Sequence, residues 1–301
     1  MLLFLSIYFS GGISVKWTVP ALLLAASLTA TGCSSNNENN KEASPSDSAA
    51  TAQASASASS IDWAPIVDSY RQFSIEQADT FITETEKFVS AVKSGDIKTA
   101  KQLYAPTRMY YERIEPIAEA LGDLDPNIDA RENDVEEKDW RGFHRLEKAL
   151  WVDNSTANAG EYADRLLEDA KTLRALMETV DIEPTLLVTG AVELLNEVSS
   201  SKVTGEEERY SRTDLYDFAA NIEGARKIYE LLQPELNKKD PELEAGIGKS
   251  FADLEEALAD YKVGDGYAPY TDLKEEDTKK LSRLIDALAE PLSQMGVILG
   301  A

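Results

Sequence analysis

Residues Phe81–Asp96 read FITETEKFVSAVKSGD, and their spacing decides the fold class. Phe81 and Phe88 stand seven apart, as do Ile82 and Val89, and Val92 follows Val89 by three. At 3.6 residues per turn these side chains share one side of a helix. Gly95 ends the pattern, and Asp96 is placed to cap the helix that follows. Working outward, the first helix extends back towards Ile61. A second is expected from about Ile97 to Leu121, kinked at Pro106. A polar loop follows at 122–127. Further helices are read at about 139–152, 157–180, 184–200, 212–238, 240–262 and 273–299. Pro184, Gly205, Pro234, Pro241, Gly264 and Pro269 separate them. No run alternates apolar and polar residues with the β-branched enrichment of a sheet. The expectation is an all-α fold, an antiparallel helical bundle whose halves, 61–180 and 181–301, form two pseudo-symmetric four-helix units. No sequence repeat links the halves.

The first 60 residues have a different character. Lys16 is the single charge among residues 1–32, and Trp17–Thr31 is an apolar run of signal-peptide length. It ends in Ala30-Thr31-Gly32-Cys33, small residues before a cysteine, the pattern of a bacterial lipoprotein signal with Cys33 as the lipidated residue. The competing reading is an uncleaved anchor, for which the run is short and interrupted by Pro20. Residues 1–14 precede the basic residue and look superfluous, so Val15 is read as the true start. Residues 33–60 are mostly Ser, Ala, Asn, Glu and Lys, too polar to bury a core, and are read as a flexible tether from Cys33. The folded domain is then 61–301, on the extracytoplasmic face of the cell membrane.

The whole chain has a net charge of −24. A surface so acidic repels phosphate backbones, which argues against nucleic acid as a partner. One cysteine excludes an intramolecular disulfide.

The single histidine, His144, lies in WRGFHRLEKALW, residues 140–151. Glu147 is three residues on, so the two share a helix face. Glu112 and Glu115 repeat that spacing in YYERIE, residues 110–115. Helix bundles build carboxylate-plus-histidine iron sites from facing helices, and this donor set suits iron or manganese. Acidic pairs at this spacing are common in a chain with 54 Asp and Glu. A lone histidine among aromatic residues also reads as an ordinary core side chain, so spacing alone leaves both accounts open.

The block Tyr110–Trp151, YYERIEPIAEALGDLDPNIDARENDVEEKDWRGFHRLEKALW, resembles the imelysin-like domain of the EfeO/EfeM iron-uptake lipoproteins. The block Val203–Asn221, VTGEEERYSRTDLYDFAAN, resembles it too. The resemblance covers about 61–301. It implies that the family's His-x-x-Glu motif falls on His144 and Glu147, with associated acids at Glu112, Glu115 and Asp129. Glu207 is a further candidate, its register among Glu206, Glu207 and Glu208 being open. The resemblance implies iron as the ion bound, an iron permease of the membrane as the recipient and a haem peroxidase-like partner for any oxidation. Residues 34–60 are too short and polar for the cupredoxin domain of some relatives. Arg212 stands where the family often has histidine, which puts that position's role in doubt here.

Three readings follow. In the first, an iron-binding lipoprotein passes its ion to the permease and is not an enzyme. In the second, an imelysin-like metallopeptidase, the helical device His-Glu-x-x-His is lacking, and a zinc hydrolase normally needs three ligands plus an open position. In the third, a helical lipoprotein binds a polymer or protein in a groove lined by Tyr104, Tyr110, Tyr111, Tyr261, Tyr267 and Tyr270.

Overall fold

The computed structural model describes residues 61–200 and 202–300. The signal segment, Cys33 and the tether lie outside the described residues. Among those residues, no helix is long and apolar enough to cross a membrane.

Helix α1, Ala64–Ser94, buries Tyr70, Ala78, Phe81, Phe88 and Val92 along one stripe, the seam that the opening pattern requires. Full burial of a side chain such as Phe81 contributes about 1.5–3 kcal/mol. Gly95 ends α1 in the left-handed conformation, φ 78°, and its N–H closes onto the carbonyls of Ala91 and Val92. The Asp96 carboxylate then accepts the Thr99 N–H at 3.0 Å and starts α2, Ile97–Glu112.

Helix α2 is shorter than expected. Pro106 is accommodated inside it, whereas Pro116 ends it. Pro116 has no N–H for the Glu112 carbonyl, and its ring disfavours α geometry at Glu115. The chain tightens into a 3₁₀ helix, Glu115–Leu121. The expected loop at 122–127 is mostly helical, because α3 spans Leu124–Asp129. Helix α4 begins at Phe143, four residues later than read, and ends at Trp151.

The remaining helices are α5 (Gly160–Met177), α6 (Pro184–Ser200), α7 (Asp214–Lys239), α8 (Pro241–Ala259) and α9 (Glu275–Leu299). Lys262–Val263 pairs antiparallel with Gly266–Tyr267 in a two-residue ladder, a small hairpin absent from the sequence reading. Gly264, φ 61°, supplies its turn.

The all-α expectation holds. Helices α6, α7, α8 and α9 pack on one another as a four-helix set. In the first half, α1 packs on α2 and α5, and short α4 sits against α2 and α5. The halves join where α2 meets α7. There Gly224 has no side chain, and a Cβ would lie 2.4 Å from the Arg113 carbonyl oxygen.

Candidate metal centre

Helix α2 presents Arg108 and Glu112, one turn apart, to the interior at the α2–α7 junction, and both are fully buried. Arg108 is the hub. Its Nη2 lies 2.6 Å from Glu112 Oε1, its Nε 2.6 Å from Glu208 Oε1 and 3.3 Å from Asp217 Oδ1, and its Nη1 bonds Asp129 Oδ1. Glu207 is 3.9 Å away. One guanidinium thus faces five carboxylates. The Phe143 ring lies beneath it, 5.5 Å from Cζ.

Asp129 and His144 come from different helices, and Gly142 lets them meet. Its φ is 87°, and a Cβ would stand 2.2 Å from the Ile128 carbonyl oxygen. With hydrogen there instead, the start of α4 packs directly on the end of α3. The Trp140 indole N–H donates to the Ala130 carbonyl at 2.8 Å and fixes the same corner.

His144 is 1% exposed. Its Nδ1 lies 3.1 Å from Glu147 Oε2. Glu147 Oε1 accepts the backbone N–H groups of Tyr210 and Ser211, at 2.9 and 2.7 Å. This carboxylate is therefore committed on both oxygens, and in the neutral ring it favours the tautomer with the proton on Nδ1. His144 Nε2 has no hydrogen-bond partner. It lies 3.6 Å from Asp129 Oδ1 and 3.8 Å from Glu207 Oε1, a grouping compatible with one shared ion. Glu208, on the far side with Glu147, forms a second such grouping with His144.

Glu112 and Glu115 do not join the imidazole directly. Lys202 Nζ lies 3.3 Å from Glu112 and 3.0 Å from Glu115, and the Asn221 amide donates to both carboxylates at 2.9 and 2.8 Å. Of the six sequence candidates, Asp129, His144, Glu147 and Glu207 meet around the ring. Glu112 and Glu115 form an adjacent pair bridged by Lys202 and Asn221, with Glu112 also bonded to Arg108.

Arg212 braces the loop carrying Glu207 and Glu208. Its guanidinium donates to the Gly205 carbonyl at 2.8 Å, and its own carbonyl accepts the Tyr270 N–H at 2.8 Å.

A cleft of about 240 Å³ opens over this centre, bounded by Glu115, Asp125, Asp129, Arg131, Asp134 and Glu207. Wider hollows lie beside Arg145 and Tyr162 and beside Phe73 and Tyr110. Neither reaches the imidazole. The tyrosines read as groove-lining do not share a groove. Tyr104 is buried against Phe88, Phe143 and Trp151, Tyr111 is buried against Phe81, and Tyr267 packs on Tyr216.

Crowding shifts the titrations. Burial raises Asp129 to about 6, although Arg108 and His144 pull it down. Burial and Glu147 push Glu208 well above the carboxylate range, and burial does the same to Asp217. Burial opposes ionisation of Glu207 as well, yet Lys202, His144 and Arg131 outweigh it and hold that carboxyl below its ordinary range. His144 is raised to about 9. Burial and Arg108 work against its charge, but Glu147, Glu207 and Asp129 prevail. The cluster therefore holds more acid than its cations can neutralise, and some of its carboxyls retain protons.

Sequence reasoning missed Arg108, Lys202, Asp217 and Asn221, and left Glu208 as one of three registers. Arg108 stands four residues before Glu112, the spacing of a helical ion pair. Glu208, Asp217 and Asn221 lie in the second quoted block.

The structure so far defines a helical-bundle protein with a buried imidazole among carboxylates under an acidic cleft. The imelysin family profile matches residues 66–295, and the chain belongs to that family. An "Efem/EfeO family lipoprotein" of Staphylococcus haemolyticus is 48% identical over 285 residues, 93% of this chain and 98% of the relative. Proteins of that same name from Staphylococcus aureus strains MSSA476 and NCTC 8325 are 49% and 48% identical over 236 residues, 76% of this chain and 83% of each relative.

Proposed function

We propose that this chain is an extracytoplasmic iron-binding lipoprotein, anchored by lipid on Cys33 through the 33–60 tether, that captures iron and passes it to an Efe-type membrane permease. The observation that carries the reading is His144 Nε2. It is buried, unbonded and aimed between Asp129 and Glu207, whose carboxylates line an acidic cleft. Two carboxylates face this nitrogen at 3.6 and 3.8 Å without hydrogen-bonding it, and an ion coordinated there would take the place of its proton. Asp129, His144 and Glu207 are the direct ligands in this account, and Glu147 holds the ring. Glu115, which lines the cleft, and Glu112 buried beside it form the acidic neighbourhood next to the ion's route. Carboxylate and imidazole donors suit ferrous or ferric iron. A haem peroxidase-like protein is the proposed oxidant where oxidation accompanies uptake.

The test is anoxic titration of the purified protein with ferrous iron, by calorimetry or chelator competition. Wild type should bind. His144→Ala and the double variant Asp129→Asn/Glu207→Gln should lose binding while keeping the helical circular dichroism of wild type. Full retention of binding in His144→Ala defeats the proposal.

A further inference from the structure

We propose that Arg108 is a built-in competitor for the metal: its guanidinium bonds one of the two carboxylate oxygens that face His144 Nε2 and stands close to the other, and iron loads by displacing it from them. The inference rests on the iron-binding reading above and adds to it a device for reversible release.

The geometry is specific to the atom. Asp129 Oδ1 is the oxygen 3.6 Å from His144 Nε2, and it is also the oxygen bonded by Arg108 Nη1. Glu207 Oε1 is the oxygen 3.8 Å from Nε2, and it is also the oxygen 3.9 Å from Arg108 Nη2. A metal ion bound by the imidazole and these oxygens sits about 2.0–2.2 Å from each donor. Such an ion draws on Asp129 Oδ1, which the guanidinium now bonds, and on Glu207 Oε1, which the guanidinium approaches to 3.9 Å. Two cations sharing them would also repel each other at short range in a buried, low-dielectric place. Iron and Arg108 therefore compete for Asp129 Oδ1 and for the space beside Glu207 Oε1.

Arg108 can yield these oxygens without being left unpaired. Its Nη2 keeps Glu112 at 2.6 Å, and its Nε keeps Glu208 at 2.6 Å and Asp217 at 3.3 Å. The planar fork and permanent charge of arginine make this division of partners available, as a lysine point charge does not. When the ion departs, the same guanidinium refills the vacated oxygens and spares the cluster the repulsion of bare carboxylates. A carrier needs that property, since an ion bound without competition is slow to leave.

The experiment compares wild type, Arg108→Met and Arg108→Lys in the full chain. Ferrous iron is the ligand, under anoxic conditions, with affinity from chelator competition and release rate from stopped-flow capture by excess chelator. We expect Arg108→Met to bind iron at least tenfold more tightly and to release it more slowly, with Arg108→Lys in between. Iron should also raise the melting temperature of Arg108→Met by more than it raises that of wild type, because the ion then replaces a missing charge. A purely structural arginine predicts the opposite: weaker or unchanged binding in both variants. That result overturns the assignment. Should Arg108→Met fail to fold even when refolded with iron, Arg108→Lys decides alone, and affinity no higher than wild type overturns the proposal. If wild type binds no iron, or binds it without His144, the carrier reading itself has failed. If wild type binds through His144 and the Arg108 variants bind no more tightly, only the competitor role is lost.

Discussion

Glu147 grips His144 from below: Oε2 lies 3.1 Å from Nδ1, while Oε1 is held by two backbone N–H groups of the 205–213 segment. The His-x-x-Glu pair thus works as a carboxylate–imidazole unit whose outer nitrogen, Nε2, faces the carboxylates of Asp129 and Glu207. In such units the carboxylate orients the ring and raises its basicity.

Glu147→Gln tests this directly. The amide preserves size but loses charge, and its NH₂ end cannot accept from the ring or from the backbone donors. Iron affinity should drop about 10–100-fold, the usual cost of losing an outer-shell partner. Asp129→Asn removes a proposed ligand and should cost more. Calorimetric titration of both variants at one pH checks the ordering, and equal losses would place Glu147 among the direct ligands.

The metal-free protein should lose stability as the solution becomes alkaline. His144 binds its proton up to about pH 9, against 6.5 when unperturbed. A group whose pKa is raised by folding stabilises fully below its unfolded value and ceases to do so as pH rises through the folded one. For His144 that window runs from 6.5 to about 9. Asp129 and Asp214, each raised to about 6 chiefly by burial, act in the same direction between 3.8 and about 6. Glu112, Glu147 and Glu207 act oppositely. Burial opposes their charge, but neighbouring cations and donors hold their pKa values low, so their contribution is present above 4.5 and is lost on acidification. Iron or manganese requires a neutral imidazole and competes with its proton. Melting curves at pH 6.5, 7.5 and 9 should show the metal-free transition falling and the gain on adding manganese growing. A gain that shrinks with pH contradicts the assignment of Nε2 as ligand.

Much of this was legible in the sequence, for definable reasons. Phe81, Phe88, Val89 and Val92 announced α1 because a buried helix face repeats at a fixed period. Glu115–Leu121 departs from the expected α-helix because a proline inside a helix, Pro106, and one that ends it, Pro116, leave the same local mark in sequence. His144 and Glu147 were visible as neighbours on one turn. Arg108 and Lys202 were not, because an ion pair across 90 residues, Lys202 to Glu112, leaves no local periodicity. The register of Glu206, Glu207 and Glu208 was likewise open, since an irregular segment has no period. In the fold Glu206 is exposed while Glu207 and Glu208 turn inward.

The peptidase reading makes a distinct claim. A zinc hydrolase needs a general base free to take a proton from the metal-bound water. Glu147, the carboxylate of the His-x-x-Glu pair, has both oxygens engaged by His144 Nδ1 and backbone donors. The protein incubated with zinc and casein should therefore release no peptides above a protein-free control. Peptide release that disappears in Glu147→Gln would restore the hydrolase account.

Gly142 offers the sharpest test of how the centre is assembled. Alanine there must adopt φ 87° and place its Cβ 2.2 Å from the Ile128 carbonyl oxygen, a backbone atom that cannot rotate away. Relief requires α3 and α4 to separate, which moves Asp129 away from His144. Gly142→Ala should cost roughly 2–4 kcal/mol in urea denaturation, at the upper end of single substitutions. It should weaken iron binding even though residue 142 touches no ligand. Gly246, inside α8 with open space at its Cβ position, is the control. There alanine should stabilise by about 0.5–1 kcal/mol, since it favours the helix more than glycine does. It should leave iron affinity at the wild-type value. If Gly142→Ala binds iron as tightly as Gly246→Ala, the close approach of α3 and α4 is not what sets the distance between Asp129 and the imidazole.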